Sequence, residues 1–195
     1  MGRRSDHSRA ELRELIIDEG HRQMAEYGFA GFSARQVARE IGYSVGTVYN
    51  LFPSLDDLLI AINTRTFTQW TEFVRLRLDG VIDDRIGVLV RAYFDFAREH
   101  PNLWMAIYDH RLPPGTPLPL NEDEERRKLT IIVIHELATA LPGVSDDAVE
   151  RLARSLIATV HGHCTYALNG SFELMGETDP LGLALARVRE AMGAA

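Results

Sequence analysis

Residues 33–52 read Ser33-Ala-Arg-Gln-Val-Ala-Arg-Glu-Ile-Gly-Tyr-Ser-Val-Gly-Thr-Val-Tyr-Asn-Leu-Phe52. Ser33 is an N-cap candidate, and Gln36 stands three residues on, as a capping box requires. Val37 and Ala38 supply the apolar side of a helix that is over by Ile41. Gly42 then offers the positive φ that ends a helix cleanly. Ser44 is placed to cap a second short helix, with Val45, Val48 and Phe52 at helical spacing. Helix, glycine turn and helix make a helix-turn-helix, whose second helix enters the major groove with its N-terminal residues at the base edges. Here that helix offers Ser44, Thr47, Tyr49 and Asn50, which are hydroxyls and an amide with no carboxylate, and Gly46 permits close backbone approach. Two ordinary core helices joined by a glycine turn would give the same local pattern.

The residues running from Gly42-Tyr43-Ser44-Val45-Gly46-Thr47 through Val48-Tyr49-Asn50-Leu51-Phe52-Pro53-Ser54 resemble the DNA-binding core of TetR-family transcriptional repressors, and Asp57-Leu58-Leu59 continues the match. The resemblance implies an all-α homodimer with a three-helix DNA-binding head in residues 1–52. A larger helical ligand-binding and dimerisation domain follows in residues 53–195. It also implies two further partners, double-stranded operator DNA and a small apolar effector that releases a repressor from it, and no cofactor. The DNA-contacting set it implies is Arg35, Ser44, Val45, Gly46, Thr47, Tyr49, Asn50 and Ser54. Within this set Thr47, Tyr49 and Arg35 would meet phosphate, and Ser44, Val45 and Asn50 would face the groove. Arg3 and Arg4 would add to the phosphate contacts from a flexible arm. Leu55 stands where many members carry a phosphate-touching Lys.

Length and charge fit this organisation. The 195 residues are 46% hydrophobic and 25% charged, with a net charge of −7. The acidity is uneven. Residues 1–52 carry seven Arg and seven acids, whereas the remainder carries 14 basic and 21 acidic residues. The acidic balance that argues against nucleic acid therefore lies outside the head. No apolar run reaches about 18 residues, so no membrane span is expected. The start of the chain leads into no signal-peptide core, and the single Cys164 suits a reducing cytoplasm.

Taken in order, Ser8 and Glu11 open a first helix that ends at Gly28. Pro53 and Ser54 restart the chain, and a connector helix is expected over residues 55–78. Further helices are expected from Asp84 to Glu99, from an Asn102 cap to near His110, over residues 121–141, from Ser145 to Asn169, and from Pro180 to Met192. Residues 111–120 contain four prolines and cannot be helical. The total is about nine helices and no strand.

Trp70, Phe73, Tyr93, Trp104, Met105 and Tyr108, with His135, His161 and Tyr166, form the candidate ligand set, although each aromatic alone is a good core residue. Thr159-Val160-His161-Gly162-His163-Cys164 resembles the His-Gly segment of one C-terminal subfamily of the same family. A metal-dependent helical enzyme using His161, Cys164 and Asp109 is the rival reading. His161 and His163, two residues apart on a helix, point away from each other and cannot share an ion. No metal site and no catalytic residue is expected. Residues 147–169 and 181–192 carry apolar residues on more than one face, among them Leu152, Ala153, Leu156, Val160, Leu181, Leu185 and Val188. Such wide coverage predicts a two-fold dimer seam.

Overall fold

The computed structural model describes residues 7–113 and 115–195. Among them are ten helices and no strand. Arg3 and Arg4 lie outside the described residues.

Helix α1 (Arg9–Gly31) opens on the expected capping box: Ser8 Oγ accepts from the Glu11 backbone N–H, and the Glu11 carboxylate accepts from the Ser8 N–H. The regular helix breaks at Gly28, as expected, where φ is 68° and ψ is −179°, and a further short turn runs on to Gly31 beyond the break. That conformation is open essentially only to glycine.

Helices α2 (Ala34–Glu40) and α3 (Val45–Leu51) follow, each capped by the predicted serine. Ser33 accepts from the Gln36 N–H at 3.4 Å, and Ser44 from the Thr47 N–H at 3.2 Å. Gly42, at φ 78°, turns the chain, and the Tyr43 N–H reaches back to the Ala38 carbonyl at 2.8 Å. Helix α4 (Leu55–Leu78) has the bounds that its Ser54 cap and Asp79-Gly80 end predict. Then come α5 (Arg85–Glu99), α6 (Pro101–Asp109), α7 (Leu120–Ala140), α8 (Asp146–Leu168), α9 (Ser171–Leu174) and α10 (Pro180–Gly193). The one-turn α9 has no counterpart in the expected elements. Gly170, at φ 77°, ends α8, and the chain re-forms one turn before Gly176.

The chain divides into two compact units, Met1–Thr68 with His100–Glu124, and Gln69–Glu99 with Glu125–Ala195. This division differs from the expected boundary at 52/53, because α6 packs with the helices of the head. Its cap position is His100 with Pro101 at the first turn, where a missing N–H costs nothing. Asn102, expected as the cap, instead donates from Nδ2 to the Ala25 and Glu26 carbonyls of α1, at 2.9 and 3.3 Å. Asn63 of α4 donates to the Ala106 carbonyl at 3.3 Å. Leu103 and Ala106 thus join Ile16, Met24, Val37, Val48, Phe52, Leu58 and Ile62 in one core. Each large aliphatic buried there stabilises by about 1.5–3 kcal/mol.

In the second unit α8 turns Val149, Ala153, Leu156, Val160 and Cys164 inward, and α10 adds Ala184 and Val188. Trp70 stacks on Phe96 at 4.9 Å. Arg85 donates to both carboxylate oxygens of the buried Glu136, at 2.6 and 2.8 Å, and to the Leu78 and Val81 carbonyls, joining the end of α4 to α7. One expectation is corrected here. Ala153, Leu156, Val160 and Val188 form no exposed patch, since each is buried inside its own unit. Leu152, Leu181 and Leu185 are half-buried. A less buried stripe of α8 runs through Ala148, Leu152, Ser155, Thr159, Gly162 and Tyr166, alternating by four and three residues, with Leu152 and Thr159 half-buried and the other four exposed.

Candidate nucleic-acid interface and effector cavity

Helix α3 is short because its ends are set by caps, and only Val48 on it is buried. Its N-terminal and outward groups are therefore presented by rigid backbone. Ser44, Gly46, Tyr49 and Asn50 are exposed, and Val45 and Thr47 are half-buried. Ser44 Oγ lies 3.0 Å from Thr47 Oγ1 as well as capping the helix, so both hydroxyls are held in place. Arg35 is exposed on α2 and makes no ion pair among the described residues, whereas Arg39 pairs with Glu40 at 3.3 Å. Ser54 has its hydroxyl engaged with the Asp57 carboxylate at 2.7 Å, as part of the cap of α4. Two groups beside α3 were missed by sequence reasoning. The Arg9 guanidinium donates to the Asn50 carbonyl at 3.3 Å, and His7 Nδ1 lies 3.0 Å from Tyr43 Oη. Separations of 41 and 36 residues leave no local signal for either.

The second unit holds an apolar cavity of about 50 Å³ lined by Ile86, Leu89, Val90 and Tyr93 of α5, Val133 and Leu137 of α7, Leu156, Ile157 and Val160 of α8, and Val188 of α10. Tyr93 carries the one polar side chain in that lining. Its hydroxyl lies 3.0 Å from His161 Nδ1. Burial holds the His161 imidazole below its ordinary range, so it is neutral at pH 7.

Residues 16–62 match the family described as bacterial regulatory proteins, tetR family, and residues 88–188 match the tetracyclin repressor-like C-terminal domain. The second match alone spans just over half of the chain. The chain belongs to the TetR family. The two matched segments are the family's regulatory-protein head, which here holds the helix-turn-helix of α2 and α3, and its tetracyclin repressor-like C-terminal domain. It is 31% identical over 123 residues to the HTH-type transcriptional regulator Mb1846 of Mycobacterium bovis, a match covering 61% of this chain and 50% of that protein. The chain thus spans about half the length of the curated relatives it matches first. Among solved structures, a protein of unknown function from Rhodococcus sp. RHA1 superposes with a TM-score of 0.73 at 22% identity, covering 98% of both chains. The multidrug binding protein EbrR, solved with imidazole, gives a TM-score of 0.63 at 21% identity, covering 95% of this chain and 96% of its own.

Within this TetR-family frame the expected ligand residues part company. Tyr93 lines the cavity and His161 bonds to it. Trp70 is buried edge-on against Tyr93 at 4.8 Å, and Phe73 packs edge-on against Phe96 at 5.4 Å. Trp104, Met105 and Tyr108 sit on α6 in the first unit, with Trp104 and Tyr108 ring to ring at 5.3 Å. His135 lines an open groove of about 460 Å³ with Ile131, Ile132, Glu136 and Arg75. Tyr166 is exposed on α8 and rests edge-on against Phe172 of α9 at 5.7 Å. The cavity is instead built mostly from aliphatic residues. Their helical spacing is indistinguishable from that of ordinary core, so the sequence carries no signal for them.

The rival metal constellation is not assembled. Asp109 belongs to the first unit, and His161 and Cys164 to the second. Burial pushes the Cys164 thiol up to about 12, so on its own it is a protonated thiol and a poor nucleophile at neutral pH. Among the described residues no three His, Cys, Asp or Glu side chains converge on a common point. No single described helix is long and apolar enough to cross a membrane.

Proposed function

We propose that the chain is a homodimeric repressor that binds a two-fold operator through α2 and α3 and is released when a small apolar molecule enters the second unit. The observation that carries the DNA reading is the outward face of α3. It holds hydroxyls, an amide and glycine, no carboxylate, and caps that fix its backbone. Thr47, Tyr49 and Arg35 meet phosphate, which positions the protein without reading sequence. Asn50, Ser44 and Val45 face the groove, where an amide reads adenine in a bidentate way. Arg9, beside the end of α3, adds a further phosphate contact. Ser54 contributes by its position at the start of α4 rather than as a donor, since its hydroxyl and its backbone N–H are both engaged with the Asp57 carboxylate.

Dimerisation uses α8 and α10, within residues 147–169 and 181–192. The open stripe on α8 has the alternating spacing that packs helix on helix, and a side chain at Gly162 would meet nothing within 4 Å. TetR-family regulators act as dimers on operator DNA, and two heads set half-sites about one helical turn apart. Helix α4 has residues in both units, which supports its role as the element an effector displaces. The effector must bind the DNA-incompetent state more tightly, and coupling of about 1–3 kcal/mol is typical. The similar fold of EbrR, described as multidrug-binding, supports an effector for this chain as well. The protein works in the cytoplasm and needs no cofactor or catalytic step for this role.

The test is fluorescence anisotropy on a duplex from the chain's own upstream region, titrated across salt. Arg35→Ala should reduce the slope of log K against log salt by about one per half-site. Tyr49→Phe should weaken binding to all sequences alike. An Arg35→Ala slope equal to the parent's, or a changed operator preference in Tyr49→Phe, overturns the assignment.

A further inference from the structure

The two buried carboxylates among the described residues, Glu122 and Glu136, both lie on α7. A buried charge is costly unless it is paired, and each of these is paired with an arginine from another element. Glu136 takes both donors of Arg85, at the start of α5. Glu122, whose side chain is 8% exposed, takes Arg13 Nη2 of α1 at 3.1 Å. The only other acid paired with Arg13 is the exposed Glu14, at 3.8 Å. The Arg13 guanidinium also lies over the Phe52 ring, 5.1 Å from its centroid. Phe52 is the C-cap of α3, its N–H bonded to the Val48 carbonyl at 2.9 Å. One end of α7 is therefore tied to the close of the recognition helix. Residues 120–124 of α7 fall in the first unit and residues 125–140 in the second, where Val133 and Leu137 line the apolar cavity.

We propose that α7 is a lever, pivoting at Glu136, that carries expansion of the cavity to the recognition helix through Glu122 and Arg13. This rests on the reading of the second unit as the effector domain. The cavity holds about 50 Å³, against roughly 150 Å³ for voids known to take a benzene ring, so a ring enters only as the wall moves. The bidentate Arg85 pair holds α7 at Glu136. Val133 is three residues from that pivot and Glu122 fourteen, which is about 4.5 Å and about 21 Å of helix. A wall displacement of about 0.5 Å at Val133 thus becomes about 2 Å at Glu122. A carboxylate so buried holds its partner, because letting go strands it. The cation–π contact of Arg13 is the weaker of the two and yields first. Arg13 is drawn off Phe52, and the end of α3 loses its cover. Arg13 and Glu122 are positioning residues in this scheme and touch neither DNA nor effector.

The test replaces the unidentified effector by a filled cavity. Val133→Phe adds bulk to the half-buried α7 wall, and Ile157→Phe does so from the facing α8 wall, in case the first variant fails to fold. Operator affinity is read by fluorescence anisotropy on the full chain, with and without Glu122→Gln, which keeps the shape and removes the charge. Each cavity variant should weaken operator binding about tenfold in the parent background, within the usual range of coupling between sites. With Glu122→Gln present the further loss should be about twofold or less, although sites more than about 10 Å apart normally act additively. Equal losses in the two backgrounds overturn the lever and leave the effector reading standing. Full operator affinity in both cavity variants would detach the cavity from DNA binding, and removes that reading and the lever together. Hydrogen exchange needs no cavity variant. Glu122→Gln alone should speed exchange of the Phe52 amide several-fold. An unchanged Phe52 rate would mean that Glu122 does not hold the end of α3, and overturns the proposal.

Discussion

His21 should make the first unit acid-sensitive. It sits on α1 with Nε2 buried and without a hydrogen-bond partner among the described residues. Burial, then the positive charge of Arg65, pushes its imidazole down to about 4 from the ordinary 6.5; His100 acts in the same direction and Asp18 opposes them. The folded value is depressed, so between pH 6.5 and 4 the unfolded chain takes up a proton that the folded chain refuses. The contribution is fully present above 6.5 and is lost as pH falls through the folded value. Each unit of difference is worth 1.36 kcal/mol, giving a loss of about 3 kcal/mol across the window. That is a large part of a typical 5–15 kcal/mol total. Urea unfolding at pH 7.5, 5.5 and 4.5 should show the parent losing stability where His21→Gln loses much less. Carboxylates held low by their partners, such as Glu19 beside Arg22, act in both proteins and cancel in the difference. Identical losses in the two proteins would mean that His21 is solvated and protonates freely.

Three further outcomes follow from the geometry. Gly28→Ala forces a side chain into φ 68° with Asn102 Oδ1 only 3.3 Å away, and should destabilise by about 1–3 kcal/mol in chemical denaturation; an unchanged midpoint would mean the break is not held there. Arg85→Met strands the buried Glu136 carboxylate and should cost about 3 kcal/mol, whereas adding Glu136→Met should recover much of it, so an additive double-mutant cycle would refute the coupling. Leu152→Glu on the open face of α8 should give a folded monomer by ultracentrifugation, without operator binding, while Leu156→Glu, buried at 5% exposure, should unfold the unit; a dimeric Leu152→Glu protein would move the seam elsewhere.

The parts of the molecule legible in the sequence are those set by local chemistry. Ser8, Ser33, Ser44 and Ser54 each cap the helix they were expected to cap, because a cap needs only residues three positions apart. The bounds of α4 and the break of the proline-rich stretch follow in the same way. What stayed hidden depends on distant partners. Nothing near Asn102 says that its amide will reach the carbonyls of Ala25 and Glu26, yet that tie places α6, with Trp104 and Tyr108, in the first unit. Apolar periodicity on α8 gives a face but not its neighbour. Leu156 and Val160 turn inward, and the plainer stripe of Ala148, Ser155, Thr159 and Gly162 is left open. The candidate ligand set leaned on aromatics, and the cavity is lined by valine, leucine and isoleucine around Tyr93.

Whether residues 33–52 read DNA is tested most directly by selecting from a pool of random duplexes with the full chain, beside Asn50→Ala. The parent should enrich a pseudo-palindrome with half-site centres about 10 bp apart or a multiple of that. Asn50→Ala should relax the preference at one position of each half-site, at a cost of about 1–3 kcal/mol for the lost base contact. A pool that emerges without an enriched sequence, or an identical motif from both proteins, would contradict the placement of α3 in the groove.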